Sequence, residues 1–108
     1  MATEFSKVDS LDKVRALEAQ GALVQILLFP AEFGGEATPQ NIVYVPKEAA
    51  DAKALITGTL VRFVKEDLID QLVVEPIYKG NSIVPSRLVM KASHSTKEGK
   101  FNPTVEVW

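Results

Sequence analysis

Residues 46–68, from Pro46 to Leu68, read PKEAADAKALITGTLVRFVKEDL, and the spacing of their apolar positions decides the fold. At 100° per residue, Ala49, Ala52, Ile56, Leu60 and Phe63 fall on one line, with Val64 beside it and Ala50, Ala54, Val61 and Leu68 widening the stripe. Lys47, Glu48, Asp51, Arg62, Lys65 and Glu66 gather on the other side, where charges keep their water. The spacing predicts a long amphipathic helix lying on an apolar surface. Pro46 suits the first helical position, because its ring sets a helical φ and its missing N–H would have no intrahelical partner. Gly58 opposes this assignment, since an interior glycine costs about 1 kcal/mol relative to alanine, and Thr59 to Val64 also patterns as a strand. The alanine-rich run before Gly58 and a helical period that persists through Val64 favour helix, with Gly58 marking a close backbone approach or a kink.

Ile42-Val-Tyr-Val45 leads into this segment as a short strand, and Pro30 to Asn41 before it is an irregular loop of twelve residues. Loops of that length in a small domain carry function or are mobile. Gly34-Gly35 permits a tight turn there, Phe33 places an apolar ring in mid-loop, and Glu32 and Glu36 flank it. Ala22 to Phe29 is almost continuously apolar and predicts a central strand covered on both faces. Ser10 to Gln20 carries Leu11, Val14 and Leu17 at helical spacing, with Asp9 or Ser10 as its cap and Gly21 as its terminator. Residues 1 to 8 precede it as a short flexible lead, in which Phe5 and Val8 are the packing positions.

Beyond the long helix, Asp70 or Gln71 begins a strand that runs to Tyr78. Pro76 within it has no N–H for a ladder, which makes this an edge strand or a bulged one. Lys79-Gly80-Asn81-Ser82 forms a turn, and Ile83 to His94 returns with Val84, Leu88, Met90 and Ala92 on one face. A polar loop, Ser93 to Lys100, leads to a last strand, Phe101 to Trp108. Runs of strands beside segregated helices predict a single α+β domain over residues 1–108. Its mostly antiparallel sheet has about five strands, with the long helix packed on one face and a short N-terminal helix.

The formal net charge of −2 is unevenly laid out: residues 1–78 hold twelve of the fourteen acidic and seven of the twelve basic side chains, so the last third is basic. The absence of cysteine excludes disulfides, thiol catalysis and cysteine-ligated metals, and fits a reducing compartment. The first residues lack the basic-then-apolar order of a signal peptide, and no apolar run approaches the ~20 residues of a membrane span. A soluble, cytoplasmic chain is expected, with no membrane association.

No motif assigns a chemistry, and no catalytic residues are designated. The lone histidine, His94, sits between Ser93 and Ser95 in what reads as a solvated turn. A serine adjacent in sequence is no evidence for nucleophilic catalysis, because triads are assembled across space. Glu66, Asp67 and Asp70 lack the pattern of a calcium loop, so no metal and no cofactor is expected; Lys65 or solvent answers Glu66 and Asp67 at the helix end. Gly34-Gly35 alone is a turn, not a phosphate cradle. Lys79, Arg87, Lys91, Lys97 and Lys100 lie on or beside one hairpin near Tyr78 and Phe101, but the acidic total argues against nucleic acid.

Small, acidic, cysteine-free α+β chains without a catalytic constellation include bacterial inhibitor and immunity proteins, a likeness of type only. The leading expectation is a non-enzymatic interaction module with a protein partner. Its contact positions are Glu32, Phe33 and Glu36 in the loop, Arg87 and Lys91 on the basic hairpin, and Trp108, either folded over the core edge or offered to a partner. The alternative is a small-molecule-binding protein or enzyme, with a pocket between helix and sheet under the loop and Tyr44, Tyr78, Arg87 and His94 as its polar lining. Either function accommodates a homodimer built through a sheet edge.

Overall fold

The structure, a computed structural model, describes residues 5–108. Residues 1 to 4 of the expected lead lie outside the described residues. In chain order the elements are α1 (Leu11–Ala19), β1 (Val24–Leu27), β2 (Ile42–Val45), α2 (Lys47–Lys65), β3 (Gln71–Ile77), β4 (Arg87–Ser93), β5 (Lys100–Phe101) and β6 (Thr104–Glu106). The fold is α+β with antiparallel strands, as expected, and the strands divide between two sheets. β1 and β2 pair only with each other, Val24 opposite Val45. The second sheet is built on β4, with β3 along one edge and β5 and β6 along the other.

The expectation of a central strand at Ala22 to Phe29 is corrected: β1 is four residues long, pairs on one side only and leaves Gln25 exposed. An unbroken apolar run does not say which of its residues enter a ladder. Here Leu28 and Phe29 leave the ladder and bond to the far end of the loop instead. Residues 5–8 are also better fixed than a flexible lead. Val8 is buried, Ser82 Oγ donates to the Phe5 carbonyl at 2.7 Å, and Ile83 N–H donates to that of Val8 at 2.8 Å.

Pro46 precedes α2 instead of opening it, with φ −60° but an extended ψ of 153°, and its carbonyl accepts from the N–H groups of Ala49 and Ala50. A proline's φ serves both conformations, so only ψ distinguishes them. The helix passes Gly58 without a break, and a Cβ built there would meet nothing within 4 Å. The buried line is Ala49, Lys53, Thr57 and Leu60, while Ala54, Val64 and Leu68 of the predicted stripe are exposed. The line is rotated because α2 meets both sheets: one cluster joins Leu28, Val43 and Val45 to Ala49, Leu88 and Val105. A second cluster around Leu60, Ile69, Met90 and Ala92 fills the space under the C-terminal half.

Both helices end in the same way. After α1, Gly21 has φ +79°, Ala22 N–H reaches the Leu17 carbonyl and Gly21 N–H that of Glu18. After α2, Asp67 takes the glycine's place at φ +58°, with Leu68 N–H on the Phe63 carbonyl and Asp67 N–H on that of Val64. This is the paired hydrogen-bond closure that satisfies the last free helix carbonyls. Glycine adopts it without strain, whereas aspartate is a tolerated occupant of left-handed backbone.

The last strand is continuous in register and interrupted only in its bonds. Phe101 faces Ala92 and Thr104 faces Val89, and between them Met90 N–H donates to the Pro103 carbonyl at 2.9 Å. Pro103 has no N–H to return the bond. Pro76 sits in β3 opposite Leu88 without a bulge, and β3 pairs with β4 alone, so it is an edge strand.

Candidate functional site

The Pro30 to Asn41 loop is ordered by its own bonds. Asn41 uses its whole amide: Oδ1 accepts the Phe29 N–H at 2.7 Å, and Nδ2 donates to the carbonyls of Phe29 and Glu36, each at 3.0 Å. Gly35 lies so close to the chain that a Cβ there would fall 1.9 Å from the Phe29 carbonyl oxygen. The loop contains a short 3₁₀ turn, Ala31–Phe33. The two ends of this turn face different cavities.

On one side, Phe29 and Phe33 meet edge to face with ring centres 6.4 Å apart. With Val64, Ile69 and Leu72 they line a half-open, mainly apolar groove of about 370 Å³, bordered by Asp67, Asp70 and Gln71. Phe33 is half-buried, its ring packed against the cluster under the C-terminal half of α2. At 43% and 49% exposure, Val64 and Leu68 leave apolar surface at this end of the helix.

On the other side, Ala31 and Glu32 border an open pocket of about 280 Å³ whose remaining walls are Ile26, Leu27, Pro30, Ala50, Lys53, Ala54 and Thr57. Lys53 is only 6% exposed. Burial pushes its amine below the ordinary lysine value, against an opposing pull from the Glu32 charge. The Thr57 hydroxyl is spent on the Lys53 carbonyl at 2.8 Å. Sequence reasoning did not single out Lys53, although Ala49, Lys53, Thr57 and Leu60 are spaced four, four and three apart along one helical line.

His94 is the main correction among the titratable groups. Its side chain is 8% exposed, so the reading of a solvated turn fails there. The Thr96 N–H can only donate, and it points at Nδ1 from 3.1 Å; the ring proton therefore sits on Nε2, 3.0 Å from Asp67 Oδ1. Lys97, not Lys65, answers Asp67, reaching Oδ2 at 3.0 Å and the main-chain carbonyl at 2.6 Å. Ser95 closes the set through Asp70, with its N–H at 2.8 Å and its hydroxyl at 2.5 Å from the carboxylate. The Thr96 hydroxyl lies 3.2 Å from Nδ1, which places hydroxyl, imidazole and carboxylate in sequence. Nδ1 is already engaged by the Thr96 amide, and neither His94 nor Thr96 lines any of the three cavities, so the arrangement clasps the loop to the helix end.

The largest of these three clefts, about 760 Å³, lies between the start of α2 and β6, with Ala49, Ala52, Ile56, Val105 and Val107 along its walls. Its ionic groups are spent or solvated: Lys47 pairs with Asp51 and Glu106 with Arg87. Among the described residues, no group of three His, Asp or Glu side chains is arranged to hold a metal ion. None of the helices described is long and apolar enough to cross a membrane.

The structure gathers the expected contact residues only in part. Glu32, Phe33 and Glu36 share the loop. Arg87 pairs with Glu106 at 3.1 Å and Lys91 with Glu75 at 3.4 Å, which neutralises the basic hairpin face. Trp108 folds back: its indole N–H donates to the Val84 carbonyl at 2.9 Å and the Lys79 ammonium stands 5.1 Å from its ring centre. Nor do the residues expected to line a pocket converge. Tyr44 faces Gln25 at 3.4 Å on the smaller sheet, Tyr78 is exposed after β3, and neither they nor Arg87 and His94 line the cavity under the loop. No protein-family model, curated protein or solved structure matches the chain.

Proposed function

We propose that the chain is a non-enzymatic interaction protein, and that its partner is another protein docking on the groove between the Phe33 turn and the end of α2. The observation that carries this reading is the half-open apolar groove of about 370 Å³ with Val64 and Leu68 exposed nearby. Exposed apolar surface that is concave and rimmed by polar groups marks an interaction site. The groove is bordered by the carboxylates of Asp67 and Asp70, with Lys97 paired to Asp67. A complementary segment carries one large apolar side chain flanked by lysine or arginine.

The test is affinity capture from lysate of the source organism at low and moderate salt, with wild type, a Val64→Asp/Leu68→Asp double variant and Arg87→Glu in parallel. The expected result is one stoichiometric partner held by wild type and by Arg87→Glu, and held at least tenfold less by the double variant. A partner equally retained by the double variant removes the groove from the interface, and a bound metabolite with no protein overturns the reading.

A further inference from the structure

Lys53 is a nearly buried cation that forms no ion pair among the described residues. The residue is only 6% exposed, and none of the hydrogen bonds or ion pairs formed among the described residues involves its ammonium. No side-chain nitrogen among the described residues is both fully sealed and without a partner, so the ammonium keeps some exposure, and Lys53 lines the pocket. Desolvating an amine without a hydrogen-bond partner is costly, and the cost is offset when an anion enters the open pocket beside it. The feature is distinct from the Phe33 groove, with which it shares no lining residue.

We propose that the cavity between α2 and the Ala31–Phe33 turn binds a small monocarboxylate with a short aliphatic tail, its carboxylate taken by Lys53. The walls fix the tail: Ile26, Leu27, Pro30, Ala31, Ala50 and Ala54 offer apolar surface around one charged group, within about 280 Å³. That is the composition of a site for a small, mostly apolar ligand oriented by a single polar contact. The charges fix the head group. Lysine presents a compact point charge with three donors, which one carboxylate satisfies. The acidic residue lining the cavity is Glu32, exposed on the loop. Its charge opposes a dianion such as phosphate more strongly than a monoanion. Burial disfavours the ammonium and a bound carboxylate favours it, so binding takes up protons at pH values where the free amine is partly deprotonated.

The experiment is a methyl-resolved NMR titration of the full chain with butyrate, and with butyramide as the neutral isostere. Butyrate is expected to shift the Ile26, Leu27 and Ala54 methyls saturably, while butyramide binds at least tenfold more weakly. Lys53→Met, which keeps the shape and removes the charge, is expected to lose butyrate affinity by at least tenfold. Glu32→Gln is expected to gain two- to threefold. Butyramide matching butyrate on the wild-type protein overturns the proposal without recourse to any variant. So does undiminished butyrate binding by Lys53→Met, or a titration in which these methyls do not move. Loss of the partner in the capture experiment leaves this result unaffected, so the two readings fail separately.

Discussion

His94 Nε2 donates to Asp67 Oδ1 across 3.0 Å, joining the loop after β4 to the left-handed residue that ends α2. The bond holds a carboxylate in place where glycine would be the unstrained choice. Replacing His94 with alanine frees the Thr96 amide and one Asp67 oxygen, and is expected to cost about 1–2 kcal/mol in urea denaturation, the worth of hydrogen bonds lost from a nearly buried ring. An unchanged midpoint would show the clasp to be incidental.

The same contact sets an acid dependence. The hydrogen bond from His94, then that from Lys97 and its charge, hold the Asp67 carboxyl below its usual range, and the Ser95 hydroxyl does the same for Asp70. A depressed carboxylate contributes stability that is complete above its unfolded value of about 3.9 and is lost as pH falls through the lower folded value. Thermal melts are therefore expected to be flat in this contribution from neutrality to about pH 5 and to fall below about pH 4. In His94→Ala that acid limb should be shallower; an identical limb would assign it to other carboxylates.

Asn41 and Gly35 both meet the Phe29 carbonyl, Asn41 by a hydrogen bond and Gly35 by close backbone approach. Asn41→Ala removes three hydrogen bonds and leaves the Phe29 amide without its partner, and is expected to cost about 2–3 kcal/mol. Amide hydrogen exchange over residues 30–41 should accelerate well beyond that of β4. Uniform acceleration across the chain would mean that the loop unfolds only with the whole domain.

Gly58 has neither a positive φ nor a neighbour that would meet a Cβ. Gly58→Ala is expected to stabilise the chain by about 0.5–1 kcal/mol, by helix propensity and reduced unfolded-state freedom. A loss measured by chemical denaturation would reveal a backbone approach at this position.

Lys53→Met is expected to raise stability at neutral pH by on the order of 1 kcal/mol, as when apolar groups replace buried charge. Burial lowers the folded value of the Lys53 amine, so the unfolded chain binds the extra proton and wild-type stability rises with pH. The advantage of the variant should close as pH passes the ordinary lysine value of about 10.4. A variant less stable than wild type would mean that the ammonium is held by a favourable interaction.

The sequence alone determined the α+β class, the extent of α2 to within a few residues, Gly21 as the end of α1 with Asp9 or Ser10 as its cap, and β3 as an edge or bulged strand. Each follows from local chemistry: apolar period, a capping hydroxyl on the Lys13 amide, left-handed glycine and an N–H missing at Pro76. Tertiary structure decided the rest. An apolar run such as Ala22 to Phe29 carries no mark of which residues will pair, and α2 presents its Lys53 line to the interior because two sheets, not one, receive it. The His94–Asp67 bond spans 27 positions, and Asn41 reaches Phe29 over 12. Contacts of that separation are formed by chain topology, and a linear pattern of hydrophobicity and charge does not encode them.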